Sequence, residues 1–367
     1  MGYLSDFVIV RPRFESPQSE TLEWIAAAHA SASVSGASAR GQHLRLLQRY
    51  GCANGAIAAR GHELEGHRYA QGDACTPGGS GAMGMAERMD LFRDAVASVM
   101  ETLIPPDVAP DHVLHVTCTG YRAPNGAQEC VARRGWGTRT TVTPVYHSGC
   151  YAALPALRIA TALLDASRSA GHVRIVHTEF CTLHLNPRLD NADQLVVQTL
   201  FSDGSVSLRV TGRPPAEPSL EVLALREEIL PDSADCMTWT PTEWGFAMTL
   251  ARDVPERIGG VLPDTLARLC ADAGIDAARV REEAVHAIHP GGPRILDLLQ
   301  DRLGLEDAQL AASRDVLRRH GNMSSSTLPH VWAGLVHEPP GRLVVTCAFG
   351  PGLTVSTGLF RVHSAAS

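Results

Sequence analysis

The stretch Tyr151-Ala152-Ala153-Leu154-Pro155-Ala156-Leu157-Arg158-Ile159-Ala160-Thr161-Ala162-Leu163-Leu164 is helical in composition and apolar on nearly every face. A helix without a polar face must be covered all round, as when it lies between two sheets. Pro155 is tolerated only in a first turn, where its missing N–H costs no bond, so the helix begins close to Tyr151. At 367 residues the chain exceeds the size at which one core stops growing, so two similar halves or two closely packed domains are expected.

The rest of the pattern agrees with layers. Apolar runs at residues 7–10, 112–117, 172–180 and 206–210 read as strands, and residues 21–30, 86–103 and 151–166 read as helices. The segment Thr211-Gly212-Arg213-Pro214-Pro215-Ala216-Glu217-Pro218 is a boundary that separates an N-terminal half, 1–213, from a C-terminal half, 214–367. A second set follows: strands at 221–225, leading into His289, at 342–347 and 353–362, and helices at 255–273, 293–303 and 308–319. Such alternation predicts an α/β protein with largely parallel sheets, built from two related halves. Residues 72–84, rich in Gly, Pro and Ser, read as a long surface loop.

Composition removes several mechanisms. The chain contains no lysine, which excludes Schiff-base chemistry, pyridoxal attachment and a phosphate-loop lysine. Anionic groups must then be held by arginine, backbone N–H groups or a helix N-terminus. A net charge of −7 gives no footprint for nucleic acid or an anionic membrane. No apolar run is long enough to span a bilayer, and the N-terminus lacks a signal-peptide pattern. The nine scattered cysteines show no CxxC pair, so a reducing cytoplasm is expected and a disulfide framework is not. His172, His177, His184 and Cys181 look like metal ligands, but a strand would alternate their faces; no metal is expected.

Three residues carry candidate chemistry. Cys150 follows Gly149 immediately before the apolar helix, where the helix dipole and free N–H groups favour thiolate; a buried structural cysteine is the bland alternative. His289 precedes a turn, Pro290-Gly291-Gly292-Pro293, that would project it at a sheet edge. Asn322, in Gly321-Asn322-Met323-Ser324-Ser325-Ser326, reads equally as a cap, a turn residue or an amide donor. Together Cys, His and Asn supply a nucleophile, a proton partner and an oxyanion donor.

The strings Tyr146-His147-Ser148-Gly149-Cys150-Tyr151-Ala152, His289-Pro290-Gly291-Gly292-Pro293, Gly321-Asn322-Met323-Ser324-Ser325 and Phe349-Gly350-Pro351-Gly352-Leu353-Thr354 resemble, in order and spacing, the chalcone synthase-like family. These are the type III polyketide synthases, here of the bacterial type, and the resemblance spans essentially the whole chain. It implies a five-layered αβαβα thiolase fold, a cytoplasmic homodimer, and acyl and malonyl thioesters of coenzyme A or phosphopantetheine as substrates, with no cofactor. Cys150 would take the acyl starter, while His289 and Asn322 would support malonyl decarboxylation and the ensuing condensation. A pyrone or resorcinol product is expected. The alternatives are a single-condensation ketosynthase, or an acyltransferase or hydrolase, working on chains borne by an acyl carrier protein.

The resemblance also implies a substrate cavity lined by Phe201, Met248, Cys118, Cys181, His184, Trp239 and Ser324. Gly291, Gly292, Gly350, Pro351 and Gly352 would form its scaffold loops. Trp239 stands where plant members carry Gly. The stretch Leu47-Gln48-Arg49-Tyr50-Gly51-Cys52-Ala53-Asn54 lacks basic residues at the positions where that family grips coenzyme A phosphates. Arg45, Arg49 and Arg60 are the nearby substitutes, or else a docking patch for a carrier protein.

Overall fold

Strand pairing shows how the apolar helix is enclosed. The computed structural model describes residues 2–33, 39–52, 55–65, 83–166 and 171–364, so the loop expected at 72–84 lies almost wholly outside the described residues. The N-terminal half contains β1 (Tyr3–Val10), β2 (Phe14–Pro17), α1 (Gln18–Ala32), α2 (Arg40–Tyr50), β3 (Ala59–His62), α3 (Met85–Leu103), β4 (His112–Thr117), α4 (Gly126–Arg133), β5 (Thr141–Tyr146), α5 (Ala153–Ala166), β6 (His172–Phe180), α6 (Ala192–Leu200) and β7 (Asp203–Thr211). The C-terminal half contains β8 (Ser219–Ile229), β9 (Met237–Pro241), β10 (Phe246–Leu250), α7 (Val254–Ala273), α8 (Ala277–Glu283), β11 (Val285–Ile288), α9 (Pro293–Leu303), α10 (Asp307–His320), α11 (Thr327–Leu335), β12 (Leu343–Gly350) and β13 (Thr354–His363).

Nine strands run in the order β11-β12-β13-β8-β1-β7-β6-β4-β5. The two halves repeat one pattern. β1 pairs antiparallel with β7, β7 antiparallel with β6, and β6 parallel with β4. In the same way β8 pairs antiparallel with β13, β13 antiparallel with β12, and β12 parallel with β11. The half-sheets meet where β1 pairs with β8 at Tyr3–Glu221 and Leu4–Leu220. The expectation of largely parallel sheets is thus corrected: antiparallel pairs predominate. β12 and β13 are joined by only Pro351, Gly352 and Leu353, and a parallel pair would need a far longer crossover.

The layers follow from alternation along each strand. In β12, Val344 and Ala348 face the central core, while Leu343, Val345, Cys347 and Phe349 face an outer one. The central core holds α5 and α11 between the half-sheets, with α1 to α4 covering one outer face and α7, α9 and α10 the other. This is the five-layered αβαβα arrangement. Residues 152–157 are buried all round, as the apolar pattern requires, whereas Arg158 and Ala162 are exposed farther along α5. Its counterpart α11 is also enclosed, and the Trp332 indole, fully buried, donates to Thr346 Oγ1 at 2.9 Å.

Candidate active site

The repeat brings two helix starts and two strand ends to one place. Cys150 lies on the turn that leads into α5, and Asn322 and Ser324 lie on the turn that leads into the equivalent helix α11. His289 follows β11, and Cys118 follows the equivalent strand β4. Gly149 adopts φ +85°, and a Cβ there would stand 2.6 Å from Pro351 Cδ. A Cβ on Gly350 would fall 2.2 Å from the Tyr151 ring. The hairpin between β12 and β13 therefore clamps the Cys150 turn, and only glycine permits that approach.

Asn322 is held by both its backbone and its side chain. Its N–H donates to Leu200 O at 3.0 Å, and its carbonyl accepts from Ser202 N at 2.8 Å, which ties it to Phe201 by a β-bridge. Its Oδ1 accepts from Ser324 N at 2.9 Å, so the Nδ2 amide is the end left to donate. The Cys150 thiol donates to Ser324 Oγ at 3.8 Å. His289 is anchored through its backbone N–H to Cys347 O at 2.7 Å, yet neither buried ring nitrogen has a hydrogen-bond partner among the described residues.

Two cavities meet at the thiol, each including its open mouth. An outer cleft of about 1320 Å³ is lined by His289, Asn322, Gly291, Gly292 and apolar side chains. An inner cavity of about 830 Å³ is lined by Cys118, Cys181, His184, Trp239, Ser324 and Pro351. Cys150, Phe201, Met237 and Met248 line both and form the neck between them. Gly350 and Gly352 line neither; they shape the clamp.

Burial dominates the electrostatics. It pushes the Cys150 thiol up to about 12, with Glu179 adding to the rise and hydrogen bonds from Ser324 and Asn322 opposing it. The expectation that the helix start lowers this thiol is therefore corrected: desolvation of the charged form outweighs the dipole. Burial likewise lowers the His289 imidazole to about 3 and drives the Cys118 and Cys181 thiols well up. Neither group ionises readily alone, and both line the outer cleft.

Family models of chalcone and stilbene synthases match the chain, the N-terminal domain over residues 80–214 and the C-terminal domain over residues 221–364. The chain belongs to the chalcone and stilbene synthase family. Its fold is similar to that of the C-terminal type III polyketide synthase domain of Steely1 from Dictyostelium, at TM-score 0.85 and 21% identity, over 100% of this chain and 99% of that one. PKS-I from the brown alga Ectocarpus siliculosus gives 0.83 and 20%, over 98% of each chain. The 1,3,6,8-tetrahydroxynaphthalene synthase of Streptomyces coelicolor A3(2), a bacterial type III polyketide synthase, gives 0.80 and 22%, over 99% of each. Family and fold together make this chain an enzyme, a ketosynthase-type transferase of the thiolase fold.

Within this chalcone and stilbene synthase frame, several residues in or behind the cavity walls escaped the sequence reading. Glu179 is fully buried and accepts from the Cys118 amide at 3.0 Å and from Thr119 Oγ1 at 2.9 Å, with Ser325 Oγ a further donor. A lone carboxylate inside the apolar strand His172–Phe180 was its visible signal. Met237 and Trp244 gave none, because β9 and β10 form a short hairpin not anticipated from the pattern. Trp239 on that hairpin donates from Nε1 to Cys118 O at 2.5 Å, and its carbonyl meets His147 Nε2 at 2.7 Å. The His184 Nε2–H donates to Thr119 O at 2.7 Å while Nδ1 accepts from Phe246 N at 3.1 Å. Both nitrogens are thereby committed, which makes His184 a wall rather than a metal ligand. His177 is likewise turned away, with Nδ1 at 3.1 Å from Ser325 Oγ. Arg60 is 2% exposed and donates to Gln198 O and Phe201 O, so it holds the cavity wall and cannot serve as a surface patch.

Proposed function

We propose that this chain is an iterative type III polyketide synthase that builds a pyrone- or resorcinol-type product from an acyl starter and malonyl units. The observation that carries this reading is Cys150 at the neck, with His289 and Asn322 on the outer side and a second, largely apolar cavity on the inner side. An acyl thioester enters by the outer cleft. The Cys150 proton passes to His289, the thiolate attacks the thioester carbonyl, and the departing thiolate takes the proton back. A malonyl thioester then loses CO2; the electron pair of the broken C–C bond is held as an enolate whose oxygen faces Asn322 Nδ2 and His289. The enolate carbon attacks the acyl carbonyl on Cys150, a C–C bond forms, and the Cys150 thiolate leaves. Repetition lodges the growing chain in the inner cavity, where Trp239 and Phe201 bound its length.

Incubation with malonyl-CoA and a series of fatty acyl-CoA starters, followed by mass spectrometry, tests the proposal. Products longer than the starter by two or more malonyl-derived units support it. Turnover confined to carrier-bound acyl groups would instead mark a single-condensation enzyme, and starter transfer without CO2 release an acyltransferase or hydrolase. A homodimer is part of the reading: among the described residues β5 is an end strand, paired on only one side, and Tyr121 near it is 68% exposed. Light scattering at the chain's 39.2 kDa mass or at twice that value decides the matter. No helix among the described residues is long and apolar enough to cross a membrane, and the eight described cysteines are all unpaired. A reducing, cytoplasmic setting fits these thiols.

A further inference from the structure

Arg88 is a buried charge without a counter-ion among the described residues. The face of α3 that carries Arg88, Met89, Phe92, Ala95 and Val96 is buried, and Arg88 itself is 1% exposed. Its Nη1 donates to Leu183 O, and its guanidinium carbon sits over the Trp244 ring at 5.3 Å. Nε and Nη2, both buried, have no hydrogen-bond partner among the described residues. Trp244 offers them no acceptor, because an indole N–H only donates. A buried, unpaired charge is costly and calls for an acceptor. These two nitrogens form one edge of the planar group, and their parallel N–H bonds match the two oxygens of a carboxylate.

Arg88 lies directly behind the wall of the inner cavity. Trp244 and His184, the residue after Leu183, both line that cavity. The turn of the β9–β10 hairpin packs close: a Cβ on Gly245 would stand 3.1 Å from His184 Nδ1 and 3.3 Å from Arg88 Cδ. The charge is felt at the wall, since burial above all, and the Arg88 charge in addition, hold the His184 imidazole down. No carboxylate is found among the described lining residues, and their one permanent charge is a second guanidinium, Arg60. The carboxylates farther back are engaged by donors of their own: Glu179 by Cys118 N and Thr119 Oγ1, and Asp203 by Thr182 N and Glu63 N. An anionic group in this cavity therefore meets one guanidinium on the wall and another behind it.

We propose that Arg88 receives the terminal carboxylate of the acyl group carried by Cys150, so that the preferred starter is a carboxyacyl thioester, the half-thioester of a dicarboxylic acid. Cys150 and Trp244 line one cavity, which gives a chain on the thiol a continuous path to the wall in front of Arg88. The inference rests on the acyl transfer to Cys150 proposed above and adds the chemistry of the chain's far end. A neutral alkyl end would leave the guanidinium edge without an acceptor.

Intact-protein mass spectrometry of Cys150 acylation tests this and requires no condensation. Succinyl-, glutaryl-, adipyl- and pimelyl-coenzyme A are compared with their monomethyl esters, which are neutral and of nearly the same shape. In the wild type the best carboxylate is expected to load at least about tenfold faster than its ester. In Arg88→Met, with thermal unfolding as the control for folding, that ratio is expected to fall to about one, while the ester loads at the wild-type rate. Arg88→Lys keeps the charge but lacks the fork, and is expected to retain a ratio of about three. A wild type that prefers no carboxylate of the series overturns the assignment, as does a ratio that survives in Arg88→Met. Should Arg88→Met not fold, a wild-type ratio in Arg88→Lys overturns it equally. If neither class loads Cys150, the acyl transfer itself is refuted and this inference with it; esters that load as fast as carboxylates refute this inference alone.

Discussion

Replacing His289 with glutamine separates attack assisted by a general base from attack by a free thiolate. Burial lifts the Cys150 thiol from an ordinary 9.0 to about 12. That displacement corresponds to about 4 kcal/mol against an isolated thiolate. At about pH 7.5, a thiol so placed would be ionised in roughly one molecule in thirty thousand. Transfer to the unpartnered His289 ring avoids a single buried charge. Two opposite charges about 4 Å apart attract by about 4 kcal/mol at an effective dielectric of 20, which offsets the thiol's penalty but not the comparable one on the imidazole, so the resting pair is neutral and His289 takes the proton only as the thiol attacks. Iodoacetamide alkylation, followed by mass spectrometry of the Cys150 peptide between about pH 6 and pH 10, reads the thiolate directly. The wild-type rate is expected to be nearly level from about pH 7 to pH 9 and faster than that of Cys236, the most exposed of the described cysteines. His289→Gln is expected to slow Cys150 by at least about 100-fold at pH 7.5 and to restore a rise of about tenfold per pH unit. A variant labelled at the wild-type rate with the wild-type pH profile would refute the pairing argument. So would a wild-type Cys150 slower than Cys236.

Three further outcomes follow from the same geometry. Gly149→Ala places a Cβ 2.6 Å from Pro351 at φ +85°, whereas Gly135→Ala meets nothing within 4 Å at φ +67°. Urea unfolding should show a loss of about 2–4 kcal/mol for the first and about 1 kcal/mol for the second. Acid should destabilise the fold. His115, His286 and His330 are lowered to about 4, and His177, His184 and His289 to about 3, all mainly by burial. The unfolded chain binds their protons near pH 6.5 and the native chain does not. The stability present above that pH is therefore lost as pH falls through 6.5 towards 3, and Tm should drop steeply below about pH 6. Trp239→Gly removes a bulky wall of the inner cavity and its bond to Cys118 O. Mass spectrometry should find longer products, with about 3 kcal/mol lost from stability; an unchanged product distribution would show that Trp239 does not limit the chain.

How much of this was visible in the sequence depends on whether a residue's role is local. The helix after Cys150 announced its own burial, because a segment with no polar face admits no other placement. The glycines of Pro290-Gly291-Gly292-Pro293 and Phe349-Gly350-Pro351-Gly352 likewise signalled turns through their backbone freedom alone. The β9–β10 hairpin did not: its five-residue strands carry too little alternation to register, yet they bring Met237 and Met248 to the neck and Trp239 to the inner cavity. Orientation was hidden for a similar reason. The mixed sheet is set by which strands share a crossover, and no strand records its neighbour's direction.

The clearest case is the thiol itself. Its position before a helix was legible, and so was the local field that should favour its charge. Its burial was not, since that depends on β12–β13, α11 and the hairpin closing over it from distant parts of the chain. Burial reverses the sign of the local argument, because removing a charge from water costs more than one helix start returns. The site must then be read as a pair. The two-fold repeat brings the strand end that carries His289 and the helix start that carries Cys150 to one cleft. Neither half alone holds both, so reactivity at Cys150 is a property of the joined halves.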